Sequence, residues 1–212
     1  MPNKIRHSVG GYATGLVLLG LCALAAPAAE PGPYEPPVKN ENSSAVQTPA
    51  TVIRDWPERP RDAARALIAK YGEPSSFDDD RLVWYGIGPW QETAVYREAP
   101  ESSGHRGEDI LEQSISYIVP EKELAELNRF DRRLDFDKPS GELVARSESE
   151  NLNYLALNLA DEIVNGKRTA DEARDFYRKT LKLAASGKTS AYMERLLFPP
   201  RRRGSGASSP IK

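Results

Sequence analysis

His105, Glu108 and Asp109 form the sharpest chemical cluster in the chain, within His105-Arg106-Gly107-Glu108-Asp109. A histidine with carboxylates three and four residues on could hold a metal ion, or act as a base with an orienting partner. The spacing matches no established ligand pattern, and Gly104 and Gly107 suit a solvated loop equally well. The sequence has two histidines, His7 and His105, so catalysis by histidine in the body of the protein would have to use His105. There is no Gly-rich phosphate loop, no nucleophile elbow and no paired-histidine zinc helix motif. Asp78-Asp79-Asp80 lacks the alternate spacing and following glycine of a calcium loop and reads as a turn before Arg81. Asp131, Asp135 and Asp137 alternate with Arg129, Arg132 and Arg133, which reads as a charge-laced surface. No metal and no cofactor is therefore expected.

Aromatic residues offer a second kind of chemistry. Trp84, Tyr85, Trp90, Tyr96 and Tyr117 are concentrated in the first half of the folded region. Most should pack in a core, but an exposed subset would form a platform for a glycan or peptide. Trp90 follows Pro89 in a loop and is the first candidate for exposure, with Trp84 and Tyr85 beside it in sequence.

These residues need a scaffold, and the hydrophobic periodicity supplies one. Residues 60–71 carry Ala64, Leu67, Ile68 and Tyr71 at helical spacing, opened by Pro60 and stopped by Gly72 and Pro74. Residues 81–85, 93–97 and 109–119 read as strands. The third alternates Leu111, Gln113, Ile115, Tyr117 and Val119 against Glu112, Ser114 and Ser116. Pro120 opens a short helix carrying Leu124 and Leu127, and residues 134–136 and 142–146 form a hairpin around Lys138-Pro139-Ser140-Gly141. Ser147-Glu148-Ser149-Glu150 offers a capping box for a helix whose apolar stripe is Leu152, Leu155, Ala156, Leu159 and Ile163. Thr169 and Glu172 cap the next helix, with Ala173, Phe176, Tyr177, Thr180, Leu181 and Ala184 on its inner face. Gly166 links the two as a helical hairpin, and Tyr192, Leu196, Leu197 and Phe198 dock as a final turn. Grouped strands predict the α+β class, an antiparallel β-meander with an N-terminal helix and a C-terminal helical hairpin.

The ends read differently. Lys4, Arg6 and His7 precede a nearly continuous apolar run at residues 10–26, and Ala26-Pro27-Ala28 fits the small-x-small cleavage rule. Residues 1–29 are thus expected to be a signal peptide cleaved near Ala28 or Ala29, and an uncleaved anchor through residues 10–26 is the alternative. The one cysteine, Cys22, follows bulky Leu21 inside the run, which disfavours lipidation and leaves no disulfide. Residues 30–53 hold five prolines and few large apolar residues, so a disordered tether is expected. Residues 54–199 make one domain, and residues 200–212 a basic tail containing Arg201, Arg202 and Arg203. With 212 residues, 39% hydrophobic and 28% charged, the chain is too polar for several membrane spans. Its net charge of −2 gives no reason to expect nucleic-acid binding.

Residues 56–198 resemble a family of exported bacterial proteins of uncharacterised activity. The matching stretches are Lys70-Tyr71-Gly72-Glu73-Pro74, Val83-Trp84-Tyr85, Gly88-Pro89-Trp90, Leu111-Glu112-Gln113 and Leu155-Ala156-Leu157-Asn158-Leu159-Ala160. They continue through Gly166-Lys167-Arg168-Thr169 and Glu172-Ala173-Arg174-Asp175-Phe176-Tyr177. Gly72-Glu73-Pro74 followed by Trp84-Tyr85 is also similar to the small outer-membrane assembly lipoprotein fold. That resemblance implies envelope scaffolding, although the chain lacks the lipidation signal and has an added helical third. The expected function is a periplasmic or secreted, non-catalytic binding module whose partner is an envelope protein or cell-wall component. No membrane span remains after signal cleavage. The alternative is an envelope hydrolase or metal-dependent enzyme centred on His105, Glu108 and Asp109.

Overall fold

Hydrophobic residues at alternate positions build six strands, and residues at helical spacing build the helices that cover one face of them. The computed structural model describes residues 47–100 and 109–200, all within the compact unit spanning Ser44–Lys212. In chain order these are α1 (Pro49–Val52), α2 (Glu58–Tyr71), β1 (Ser76–Phe77), β2 (Arg81–Tyr85), β3 (Glu92–Tyr96) and β4 (Leu111–Ser116). Then come α3 (Leu124–Phe130), β5 (Leu134–Asp137), β6 (Glu142–Ser147), α4 (Glu150–Val164), α5 (Ala170–Ala185) and α6 (Ala191–Glu194). The sheet order is β1-β2-β3-β4-β6-β5, and every neighbouring pair is antiparallel. The protein is therefore α+β. β2 to β4 form the expected meander, and the expected hairpin of β5 and β6 extends it.

The strand register sorts every side chain to one of two faces. Leu82 and Trp84 of β2, Val95 of β3, Leu111 and Ile115 of β4, Leu143 and Ala145 of β6 and Leu134 of β5 share the inner face. They divide between two core clusters. One joins the β2–β3 side to Ala64 and Leu67 of α2, and the other joins the β6–β5 side to α3, α4 and α5.

α4 is more deeply set than its sequence predicts. A single stripe was the expectation, yet every residue from 153 to 160 is buried, including Asn153, Tyr154, Leu157 and Asn158. The reason is its position. β4 and β6 lie on one side of it, α3 and α5 on another, and α6 on a third. Full burial of Leu155, Leu157 and Leu159 is worth about 1.5–3 kcal/mol each. Asn158 meets the polar demand of that burial: its Nδ2 donates to the Tyr192 and Arg195 carbonyls at 3.0 and 2.8 Å, and its Oδ1 accepts from Leu197 N at 2.7 Å. The C-terminal turn is tied on by these bonds and by Phe198 against Tyr117, while Leu197, expected to dock, stays 44% exposed.

Structure also begins earlier than the sequence suggests. Residues 49–53 fall in the expected tether, but they form α1 and open a 3₁₀ turn that runs Ile53–Asp55, and Ile53 is buried beside Trp56. Thr48 caps α1, and the Trp56 indole N–H donates to the Asp79 carbonyl at 2.9 Å. Residues 1–46 and 201–212, which hold the signal, most of the tether and the tail, lie outside the described residues. No described helix is long and apolar enough to cross a membrane.

Candidate functional site

The Ser147–Glu150 capping box does not form, and Glu150 instead becomes the most heavily hydrogen-bonded carboxylate among the described residues. Ser149 is the N-cap of α4, and no side chain bonds the helix start. Glu150 is the first helical residue, where the helix dipole favours negative charge, and its carboxylate turns inward. Oε1 accepts from the Tyr71 hydroxyl at 2.6 Å, the Trp90 indole N–H at 2.8 Å and Gln113 Nε2 at 3.3 Å. Oε2 accepts from the Lys70 ammonium. Three donors thus crowd Oε1 and one holds Oε2.

Each donor is delivered by a different piece of the fold. Lys70 and Tyr71 end α2. Trp90 comes from the β2–β3 loop, where its backbone N–H donates to the Ile87 carbonyl at 2.9 Å. Gly88 lets this loop close over Tyr71. Its φ is +53°, and a Cβ there would lie 3.4 Å from the Tyr71 ring. Gln113 comes from β4 and continues the polar chain beneath α4. Its Nε2 also donates to Thr93 Oγ1 at 3.3 Å, and its Oε1 accepts from Asn153 Nδ2 at 3.1 Å. Asn153 Oδ1 in turn accepts from the Ser147 hydroxyl at 2.7 Å.

Burial alone would push the Glu150 pKa up, but the donors Lys70, Tyr71 and Trp90, with the charge of Lys70, outweigh it and hold the carboxyl below its ordinary value. Burial, with Glu150 as acceptor and as neighbouring charge, pushes the Tyr71 hydroxyl up to about 12. Burial and the Glu150 charge raise Tyr154 as well. The group is an ionised pin joining α2, the β2–β3 loop, β4 and α4. Every hydrogen bond it makes among the described residues is to a protein donor.

The aromatic candidates separate cleanly. Trp90, expected to be exposed, is 1% accessible. Its ring lies 4.9 Å from that of Tyr154 and its N–H is taken by Glu150. A loop position does not imply exposure when an indole can fill the core and find an internal acceptor. Trp84 is likewise buried, donating to the Gly72 carbonyl at 2.9 Å. Tyr85 is 56% exposed.

Tyr85 belongs to the outer face of the sheet. Register places it in one row with Glu92, Ser114, Val144 and Asp135, and places Val83, Ala94, Glu112 and Arg146 in the next. Arg81 and Tyr96 pair at one end of the face, and Ser116, Glu142 and Asp137 at the other. Neither core cluster includes a residue of this face, although Val83, Ala94, Ser114 and Ser116 within it are buried. Its charge is unbalanced. Arg81 is committed to Asp78, and Arg146 to Glu112 at 2.5 Å. Among the described residues, Glu92, Glu142 and Asp137 have no side-chain partner. Burial and the nearby charges of Glu112 and Glu142 push the Glu92 carboxyl above its ordinary range. Burial and Glu112 also raise Tyr96.

The remaining candidates are placed as follows. Asp109 is buried just ahead of β4, whereas His105 and Glu108 lie outside the described residues. Asp78 Oδ1 accepts from the N–H groups of Asp80 and Arg81 at 3.0 and 2.9 Å, an Asx turn as expected. Burial works against it slightly, but these bonds and Arg81 hold the Asp78 carboxyl below its usual range. Asp131 pairs with Arg133 at 2.7 Å. Among the described residues there is no group of three potential ligands suited to a metal ion.

Two features were missed in the sequence. Glu150 was read as a cap because Ser-x-x-Glu before an apolar run is the cap signature. The acidic outer face could have been found by continuing the period-2 pattern across strands, since Glu92, Glu112 and Glu142 all sit at outward positions. No protein-family model, curated protein or solved structure matches the chain.

Proposed function

We propose that this protein is an exported, non-catalytic interaction module of the bacterial envelope, and that it binds its partner through the outer face of the sheet. One observation carries the reading: a sheet face of five carboxylates and two committed arginines, with the exposed Tyr85 on it, belongs to neither core cluster. A polar antiparallel face is tolerated in solution, but Glu92 in the same row as the exposed Tyr85, with Glu142 in the next row, favours a partner that is cationic and able to stack on that ring. The basic n-region, apolar run and Ala26-Pro27-Ala28 at the N-terminus support export. The bonding of Glu150 to donors from α2, a loop and β4 supports a role for it in holding structure.

The test is position-specific photo-crosslinking in cells. A crosslinker in place of Tyr85 should capture one dominant envelope partner. The same crosslinker in place of Leu183, which is exposed on α5, should not. Charge reversal by Glu92→Lys and Glu142→Lys should abolish the capture without changing the melting temperature. Equal capture at both positions would refute the assignment of the surface. A variant His105→Ala that abolished a turnover measured in the wild type would refute the non-catalytic part.

A further inference from the structure

We infer that the acidic outer face is occupied, in the resting protein, by the chain's own basic segment Arg201-Arg202-Arg203, so that a partner must displace it. The inference rests on the proposal that this face is the binding surface.

Three observations bear on it. The first is charge. Residues 201–212 carry three consecutive arginines and Lys212 with no acidic residue. The face offers Glu92, Glu142 and Asp137 without partners among the described residues, and its own two arginines are already committed to Asp78 and Glu112. Guanidinium groups suit such a surface, because they pair with carboxylates in a planar fork and stack on tyrosine rings. Tyr85 and Tyr96 are on the same face.

The second is the point of departure. Phe198 packs edge-on against Tyr117, with ring centroids 5.5 Å apart, and the Tyr117 N–H donates to the Gly141 carbonyl at 3.0 Å. The chain therefore leaves the fold on the α4 side of the sheet end that carries Glu142 and Asp137, and rounds that end to reach the outer face. Arg201 is three residues beyond Phe198, within about 10 Å of extended chain.

The third is reach. Glu92 lies two strands across from Glu142, about 10 Å in the hydrogen-bonding direction. Twelve residues span at most about 40 Å, and Gly204, Ser205, Gly206, Ala207 and Ser208 place no bulk in the way. Tethering raises the local concentration of the arginines to about the millimolar range, so weak exposed pairs suffice for occupancy.

The experiment uses the full chain. Cys22→Ser with Ser205→Cys leaves one thiol for a nitroxide label, and amide signals are followed by NMR. Selective broadening of Tyr85, Glu92, Ser114 and Glu142 is expected, together with its loss at 1 M salt, where the Debye length falls to about 3 Å. The same loss is expected in the chain carrying Arg201→Glu, Arg202→Glu and Arg203→Glu. Adding Glu92→Lys and Glu142→Lys to that reversed tail should restore it. No broadening on this face, or broadening that survives the charge reversal, overturns the inference. Broadening that disappears on dilution also overturns it and assigns the tail to a second copy. Failure of the binding-surface proposal reads out separately: with the reversed tail, a crosslinker at Tyr85 would still capture nothing in cells.

Discussion

The indole N–H of Trp90 donates to Glu150 Oε1 across 2.8 Å, joining residues 60 apart in sequence. A loop tryptophan and a helix-start glutamate each abandon the role that local sequence assigns them. Together with Lys70, Tyr71 and Gln113 they form the polar centre on which the two core clusters meet.

Removing that acceptor should be costly. Glu150→Ala leaves the Tyr71 hydroxyl, the Trp90 N–H and one Gln113 N–H without an acceptor, and loss of one partner of a buried charged pair costs about 3–5 kcal/mol. Partial exposure of Lys70 discounts this to about 2–4 kcal/mol. Urea unfolding should show the shift in midpoint with little change in slope. Glu150→Gln should cost less, because its amide oxygen still accepts.

The acid limb of stability should depend on the same residue. The folded-state pKa of Glu150 is depressed, so its contribution is present above the unfolded value of about 4.3 and is lost as pH falls through the folded value. Denaturant midpoints measured from pH 7 to pH 2 should fall less steeply for Glu150→Gln than for the wild type. Parallel profiles would remove Glu150 as the titrating pin.

A side chain at Gly88 should cost stability through the backbone. Gly88→Ala puts a Cβ at 3.4 Å from the Tyr71 ring with φ at +53°. The left-handed conformation alone costs about 1–2 kcal/mol. Thermal unfolding should show the loss. Gly141→Ala, whose added Cβ meets nothing within 4 Å at a φ of +69°, should cost a similar backbone penalty.

Tryptophan fluorescence checks the aromatic assignment directly. Trp56, Trp84 and Trp90 are 3%, 1% and 1% exposed. The native emission should be blue-shifted, and acrylamide should quench it poorly. Trp90→Phe should keep the fold near Tyr154 but lose the bond to Glu150, costing about 1.5–3 kcal/mol for a hydrogen bond to a charged group. A quenchable native tryptophan would contradict this placement.

Most of the fold was legible in the sequence because its signals are local. The residue types of β2, the alternation of β4, the Thr169–Glu172 cap and the stop at Gly72 all act within a few residues of themselves. The Thr169 box forms as expected, with the Thr169 N–H donating to Glu172 Oε2 at 2.8 Å. The Ser147 box, with the same signature, does not. The difference is long-range: Glu172 stays on the surface, while Glu150 is surrounded by donors from α2, a loop and β4. The same limit applies to Trp90, whose burial depends on Tyr154 and Glu150, and to α4, whose polar-looking Asn153 and Asn158 are buried because partners 34 to 42 residues away satisfy them. The outer face was hidden for a further reason. Its charge is written one residue at a time across separate strands, and only the sheet register gathers it.

The outer face is the centre of the functional account, and one comparison tests it most directly: in-cell photo-crosslinking from Tyr85 in the wild type and in the Glu92→Lys, Glu142→Lys variant, with melting temperatures measured in parallel. The account predicts a single dominant partner captured by the wild type and lost in the variant at unchanged stability. Capture that persists through the charge reversal would contradict it.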